Sequence, residues 1–373
     1  MKTTKFKHSE VGPIPEEWEV KRLGEIGDVV TGSTPPRDDM ECWGGNYNWI
    51  SAKDFKDKYI VDSEEKVTTK GMAFCRLLPS DSVLVTCIAS IGLNAIAKNP
   101  CATNQQINAV ICKACNNEYL YYQIEAAKDR MIELAGQTAV PIINKGDFEN
   151  LMIPVPPRPE QEKIAEALSD VDGLLAAMTK LIEKKHAIKQ GAMQQLLTGK
   201  KRLAGFTGKW VEKRLGDVGE FVGGGTPSTA ISSYWGGDID WYTPAEIGYA
   251  KYVNSSNRRI TNEGLRNSAA RVLPAGAILL TTRASIGLRA ILKHEAATNQ
   301  GFQSLIVNEE SDSEFMYYFL STVVEEMESR ASGSTFLEIS SSKLKEIPIV
   351  VPQTVAEQKA IASVLSDMDA GEV

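Results

Sequence analysis

Cysteine and histidine are the residues best suited to metal binding or nucleophilic chemistry, and their spacing here sets up neither. Cys112 and Cys115 form a Cys-x-x-Cys pair, but no second pair and no nearby histidines complete a zinc site. Cys42, Cys75, Cys87 and Cys101 complete the set of six, all in the first third of the chain, and the six read as reduced, mostly buried thiols. His8, His186 and His294 stand in no recognisable catalytic setting, which weakens every mechanism built on a histidine base. Thr198-Gly199-Lys200-Lys201 has the look of a phosphate loop. It lacks the upstream glycine at the required spacing, and Lys201 replaces the hydroxyl that would meet magnesium. Gly223-Gly224-Gly225 runs straight into Thr226-Pro227, which makes a turn rather than a dinucleotide cradle. No HExxH, GxSxG, SxxK or Asn-Pro-Pro-aromatic signature is present. The expectation is a protein with no catalytic residues, no metal and no cofactor of its own.

The elements around these residues belong to an ordinary globular chain of 373 residues, enough for two or three domains with their own cores. No apolar run approaches membrane-spanning length, and the basic N-terminus has no apolar segment behind it, so a soluble cytoplasmic protein is expected. The net charge of −7 excludes a simple cationic coat for nucleic acid. It leaves room for a binder that concentrates its cations locally or borrows them from a partner.

An internal repeat organises the whole chain. Trp18 and Lys21-Arg22-Leu23-Gly24 recur as Trp210 and Lys213-Arg214-Leu215-Gly216. Gly32-Ser33-Thr34-Pro35 recurs as Gly224-Gly225-Thr226-Pro227, and Trp43-Gly44-Gly45 as Trp235-Gly236-Gly237. With Trp49 and Trp241, all six tryptophans pair. Farther on, Ala89-Ser90-Ile91-Gly92-Leu93 matches Ala284-Ser285-Ile286-Gly287-Leu288, and Thr103-Asn104-Gln105 matches Thr298-Asn299-Gln300. Glu160-Gln161 matches Glu357-Gln358, and Leu168-Ser169-Asp170 matches Leu365-Ser366-Asp367. The protein is a tandem duplication with small loop insertions.

Each copy reads as a mixed α/β module followed by a helix. Strands are expected over residues 82–88 and 277–282, and again over 151–155 and 347–351. Helices are expected over 118–134 and 314–331, stopped by Gly136 and Gly333. After the first module, Ile164, Leu168, Val171, Leu175, Met178 and Ile182 alternate in steps of four and three, the seam of a helix that packs lengthwise on another helix. Between the acids at Glu160 and Glu162 and the stop at Gly199 this helix would run about 58 Å. Gly173 and Gly191 argue against an unbroken rod. Lys180, Lys184, Lys185 and Lys189 give its second half a basic face, either solvated or tracking phosphates. The second copy of the helix stops at Val373, soon after Asp367.

These residues together resemble the specificity subunit of type I restriction–modification systems. The likeness rests on GxTP, Trp-Gly-Gly, Ala-Ser-Ile-Gly-Leu, Thr-Asn-Gln, the Glu-Gln helix start, Leu-Ser-Asp and Gln-Gln-Leu-Leu-Thr-Gly-Lys at residues 194–200, and it spans nearly the whole chain twice. The resemblance implies an α+β fold with two pseudo-symmetric target-recognition domains, at residues 1–158 and 201–353. A central helix at 159–200 and the start of a second at 354–373 would form an antiparallel coiled-coil spacer. Each recognition domain would read one half of a bipartite double-stranded DNA target. The helices would dock methyltransferase subunits, which bind S-adenosylmethionine, and a restriction subunit would join them. With the second helix cut short, pairing of the two helices within the chain and docking of a second methyltransferase are in doubt, and the exposed seam is expected to promote self-association. A tandem scaffold without DNA specificity is the alternative.

Residues shared by the copies should not read sequence, because two half-sites differ. The tryptophans are expected to anchor core and turns. Asn104, Gln105, Asn299 and Gln300 either bond backbone or touch phosphates and adenine edges. Arg283 stands where the first copy has Ile88 and is a candidate for guanine. Arg258, Arg259, Arg266 and Arg271 cluster where the first copy has Lys66, Lys70 and Arg76. All of these are DNA-binding candidates, each equally open to being a solvated surface charge.

Overall fold

A computed structural model describes residues 5–136, 139–333 and 336–371. Its contacts divide the chain into two units, Met1–Ala177 and Met178–Val373.

The first unit opens with a hairpin of β1 (Phe6–Ser9) and β2 (Gly12–Pro15). Next come β3 (Glu19–Arg22), the short helix α1 (Leu23–Ile26), β4 (Gly27–Thr31), β5 (Trp43–Ile50), β6 (Tyr59–Ile60) and β7 (Glu65–Val67). Helix α2 (Thr69–Met72) leads to β8 (Val83–Thr86), β9 (Asn94–Ala97), β10 (Cys101–Thr103) and β11 (Ile107–Cys112). The main sheet has the order β4-β11-β8-β9-β6, and a smaller sheet runs β10-β5-β7. Successive side chains of a strand face opposite ways. Val83 and Val85 therefore pack under Tyr119, Leu120 and Ile124 of α3 (Asn117–Ala126), while Leu84 faces Ile50 and Leu78 on the other side. A strand covered on both faces reads as the continuous apolar run seen at 83–85. Helices α4 (Lys128–Ala135) and α5 (Lys145–Glu149) and strand β12 (Met152–Val155), paired with β3, complete the unit.

Helix α6 (Arg158–Leu196) follows, 39 residues long. It passes through Gly173 and Gly191 without a break, so the two glycines do not interrupt it as expected. Each costs about 1 kcal/mol against alanine, which the leucine-, alanine- and methionine-rich stretches beside them outweigh.

The second unit repeats the plan. Strands β13 (Trp210–Arg214), β14 (Gly219–Gly223), β15 (Trp235–Tyr242), β16 (Tyr252–Val253) and β17 (Arg258–Ile260) precede helix α7 (Asn262–Arg266). Then come β18 (Ile278–Leu280), β19 (Arg289–Leu292), β20 (Ala296–Thr298) and β21 (Gln303–Val307). The five-stranded order β14-β21-β18-β19-β16 and the three-stranded β17-β15-β20 match the first unit strand for strand. Helices α8 (Ser313–Phe319), α9 (Val324–Arg330) and α10 (Ser341–Lys345), strand β22 (Pro348–Pro352) and helix α11 (Val355–Ala370) close it.

The single helices expected over 118–134 and 314–331 are each divided. Ala127 ends α3 and starts α4 with φ −89° and ψ 0°, and a 3₁₀ turn at Leu320–Val323 separates α8 from α9. The break keeps apolar residues on both sides of it, Ile124 and Met131, Phe319 and Met327, in one core in each unit. Sequence periodicity alone could not register that bend.

Candidate functional site

In each unit four loops, distant along the chain, are tied into one edge beyond the ends of the main sheet. In the first unit Gly32 N donates to Ile107 O (3.0 Å) and Ser33 N to Thr103 O (2.8 Å). A Cβ on Gly32 would stand 2.1 Å from Asn104 O, so the close approach admits only glycine. Asn104 turns its carboxamide onto Gln106 N (3.0 Å), and Thr34 donates its hydroxyl to Gln105 Oε1. The turn after β8 places Ala89 at φ 63°, a left-handed conformation that strains any side chain. Its amide donates to Pro141 O (3.0 Å), while Thr86 Oγ1 accepts from Leu93 N (3.0 Å). Cys87 N donates to Gln106 O and Ile143 N to Cys87 O, both at 2.8 Å.

The second unit builds the same frame. Gly225 N donates to Thr298 O (2.9 Å), Thr226 Oγ1 to Gln300 Oε1 (2.6 Å) and Gly301 N to Asn299 Oδ1 (2.9 Å). A Cβ on Gly224 would stand 2.1 Å from Asn299 O, and Ala284 again has φ 63°. Ala284 N donates to Leu337 O (2.9 Å) and Ile339 N to Thr282 O (3.0 Å). What differs is the side chains on the frame. Ile88 bridges Ile142 in the first unit, whereas Arg283 bridges Glu338 in the second, with Nε 3.7 Å from the carboxylate.

The tryptophans brace this edge. Trp43 and Trp49 meet edge to face at 5.1 Å, as do Trp235 and Trp241. Trp49 Nε1 donates to Ser33 O (3.0 Å) and Trp241 Nε1 to Gly225 O (2.9 Å), holding the GxTP loops from below. A guanidinium covers each pair: Arg37 lies 4.1 Å from the Trp43 ring and Arg258 lies 3.7 Å from Trp235. Arg37 escaped the sequence reading because its cation comes from a loop that has no arginine in the other copy.

The family model for the type I restriction modification DNA specificity domain matches the chain twice, over residues 15–189 and 207–372. The chain belongs to this family. The type I restriction enzyme MjaIX specificity subunit of Methanocaldococcus jannaschii is 43% identical over 164 residues, 43% of this chain and 38% of that protein. The putative MjaX specificity subunit of the same organism is 28% identical over 410 aligned residues, 99% of this chain and 90% of its own. Among solved structures, the S subunit of the type I restriction–modification system of M. genitalium is similar with a TM-score of 0.60 at 17% identity, covering 95% of this chain and 90% of that one. At that identity the likeness shows the fold.

Of the DNA-binding candidates, this specificity chain places Gln105, Gln300 and Arg283 exposed on the loop edges, with Arg76 donating to Thr31 O beside Gly32. Asn104 is buried and Asn299 half-buried, and the carboxamide of each closes a turn, the backbone-bonding role. Lys66 pairs with Asp62 (2.8 Å), Lys70 with Asp39 (2.8 Å) and Glu41 (2.7 Å), and Arg259 with Asp240 (3.2 Å). Their charge is thus largely answered within the chain, and Arg258 is stacked on tryptophan. Arg266 and Arg271 are exposed and form no ion pair among the described residues.

The repeated Glu-Gln at the helix starts fastens each specificity domain to its helix. Glu160 accepts from Trp18 Nε1 and Glu357 from Trp210 Nε1, each at 3.2 Å. Arg202 adds a two-pronged pair to the buried Glu357, at 2.7 and 2.8 Å. Gln161, buried, accepts from Asn116 N and donates to Pro156 O, both at 2.8 Å, and Gln358 does the same with Asp312 N and Pro352 O. The sequence exposed this motif through its repetition but carried no sign of the partners.

Along α6, Ile164 packs half-buried on the first unit, while Leu168, Val171, Leu175, Met178 and Ile182 are between 39% and 57% exposed. In the second unit α11 runs antiparallel to the end of α6. Leu196 shares a core with Ile361 and Leu365, Lys189 pairs with Asp369, and Lys185 donates to Gly371 O. The doubt about helix pairing within one chain is therefore corrected for this stretch: the short helix reaches far enough to bury these leucines. It also gives Lys185 and Lys189 a use other than tracking phosphates.

No group of three or more metal-ligating side chains occurs among the described residues, and no helix is long and apolar enough to cross a membrane. Burial pushes the Cys112 thiol up to about 12 and the Cys115 thiol up to about 11, far from the thiolate that metal or nucleophilic chemistry needs.

Proposed function

We propose that the chain is the DNA sequence-specificity subunit of a type I restriction–modification complex in the cytoplasm, with no catalysis of its own. Each unit offers its loop edge to one half of a bipartite, asymmetric double-stranded DNA target. The observation that carries this reading is the pairing of an identical backbone frame with different side chains, Ile88 and Ile142 in one unit against Arg283 and Glu338 in the other. A shared frame suits a common task, and exchanged side chains suit two different half-sites. Gln105, Gln300, Arg283, Arg76 and Arg271 are proposed to meet the DNA. Arg266, exposed and without an ion pair among the described residues, joins them, while Lys66, Lys70 and Arg259, whose charge is answered within the chain, lie farther down the order.

The exposed seam from Leu168 to Ile182 is proposed to receive a methyltransferase subunit that brings S-adenosylmethionine, with restriction subunits joining that core. A second copy of the chain is the competing occupant. The acidic balance of the chain is compatible with DNA binding if the partners close around the duplex and contribute cations.

Co-expression with the matching methyltransferase subunit in a host without adenine methylation tests the reading. N6-methyladenine confined to one two-part motif is the expected result. Absence of any motif overturns it in favour of a scaffold without DNA specificity.

A further inference from the structure

Each unit holds a half-buried lysine that ties three chain-distant elements together, and neither lysine belongs to the loop edges. Lys58, just before β6, is 12% exposed; its Nζ lies 2.5 Å from Glu118 Oε2 on α3, 2.8 Å from Ser169 Oγ on α6 and 3.0 Å from the Tyr122 hydroxyl. Lys251, just before β16 and 13% exposed, lies 2.8 Å from Glu314 Oε2 on α8 and 2.6 Å from Ser366 Oγ on α11. The lysines sit over Tyr122 at 4.4 Å and Tyr318 at 4.7 Å. Those tyrosines donate in turn to Asp172 (2.6 Å) and to Asp369, one turn beyond each serine on the same helix. Burial works against the charge of Lys58, but Glu118 and Tyr122 outweigh it and hold the ammonium well above the ordinary lysine range.

Such a hub is a poor way to gain stability. Drawing an ammonium and a carboxylate partly out of water offsets much of their attraction, and well-packed apolar residues would hold the same elements at least as firmly. What it supplies is direction. Lys58 donates to Ser169 and Tyr122 while pairing with Glu118, and Lys251 donates to Glu314 and Ser366. In each unit one ammonium thus links a carboxylate of the module to a serine of the helix and fixes the rotation of the helix against the module. The same residue types meet in both units, whose loop edges differ. A feature common to both suits a task common to both, which base reading is not.

We propose that Lys58–Glu118–Ser169 and Lys251–Glu314–Ser366 are positioning hubs that set the angle at which each module stands on its own helix, and through it the number of base pairs accepted between the half-sites. This rests on the specificity reading above.

The test uses the full chain with its methyltransferase subunit and maps N6-methyladenine across a library of targets whose spacers differ by single base pairs. Ser169→Ala and Ser366→Ala remove one bond of each hub with little change of volume; Lys58→Met and Lys251→Met remove the whole hub. Expected is an unchanged pair of half-site sequences, with methylation at spacers one base pair longer or shorter raised at least tenfold over the parent chain. Circular dichroism establishes that the variants fold, and the serine variants decide the matter should the methionine variants fail. An unchanged spacer distribution, or a uniform loss at every spacer, overturns the hub proposal. A parent chain that yields no two-part motif overturns the specificity reading itself, and the hub proposal with it.

Discussion

Arg258 stacks its guanidinium 3.7 Å from the ring of Trp235, from the strand register that Glu65 holds in the other unit. There Glu65 instead pairs with Arg37 (3.1 Å), whose guanidinium covers Trp43. The cation over the tryptophan pair is retained while its place in the chain moves.

Replacing that cation should weaken the unit that contains it. Cation–π contacts at exposed sites are worth about 0.5–1 kcal/mol, so Arg258→Ala should lower stability by about 1 kcal/mol. Arg37→Ala, which also strands Glu65, should cost about as much in the other unit. Urea unfolding of the full chain, followed by tryptophan fluorescence, measures both; equal midpoints for parent and variants would show the stacking to be incidental.

Gly224→Ala and Gly32→Ala should each distort one loop edge. The added methyl would stand 2.1 Å from a backbone carbonyl, on Asn299 and Asn104 respectively, and neither backbone can yield without moving the turn. Overpacking of this kind costs about 1–3 kcal/mol. Each variant should stay folded and lose methylation at targets of the whole complex, read by mapping N6-methyladenine. Full retention of the motif in either variant would separate the loop edge from DNA reading.

Arg283→Ala should relax recognition at one base pair of a single half-site. A good bidentate arginine–guanine contact discriminates by about 1–3 kcal/mol, so the methylated motif should become degenerate at one position and keep the other half unchanged. Glu338, which lies 3.7 Å from Arg283, is the natural comparison. Removing it frees the guanidinium and should leave the base preference in place. An Arg283→Ala motif identical to that of the parent would assign the arginine to the ion pair alone.

The thiols should be inert in the native protein. Burial pushes Cys87 up to about 11 and Cys101 up to about 12, as it raises Cys112 and Cys115. At pH 8 these four should react with a disulfide reagent only as the chain unfolds, and a chelator should leave the melting temperature unchanged. Prompt reaction of three or more of the six thiols in native buffer would contradict the burial of this core.

The duplication, the pairing of the tryptophans, the central strand of each main sheet (β8 and β18) and the long amphipathic helix were all legible in the residues, because repetition and periodicity are local properties. The emptiness of every catalytic pattern was legible for the same reason. Partners that meet across the chain were not. Nothing in the spacing of Lys58, Glu118 and Ser169 says that they converge, since strand order alone brings them together. The Thr-Asn-Gln triplet stood out as a motif, yet only the packing of Gly32 against it divides its labour, with Asn104 closing a turn and Gln105 left on the surface. Clustered arginines suggested one basic patch. Tertiary structure set Arg258 on tryptophan and Arg259 on Asp240 instead, because a charge is spent on whichever counter-group folding brings within reach. The bend at Ala127 likewise appears only when both halves of the helix must reach one sheet.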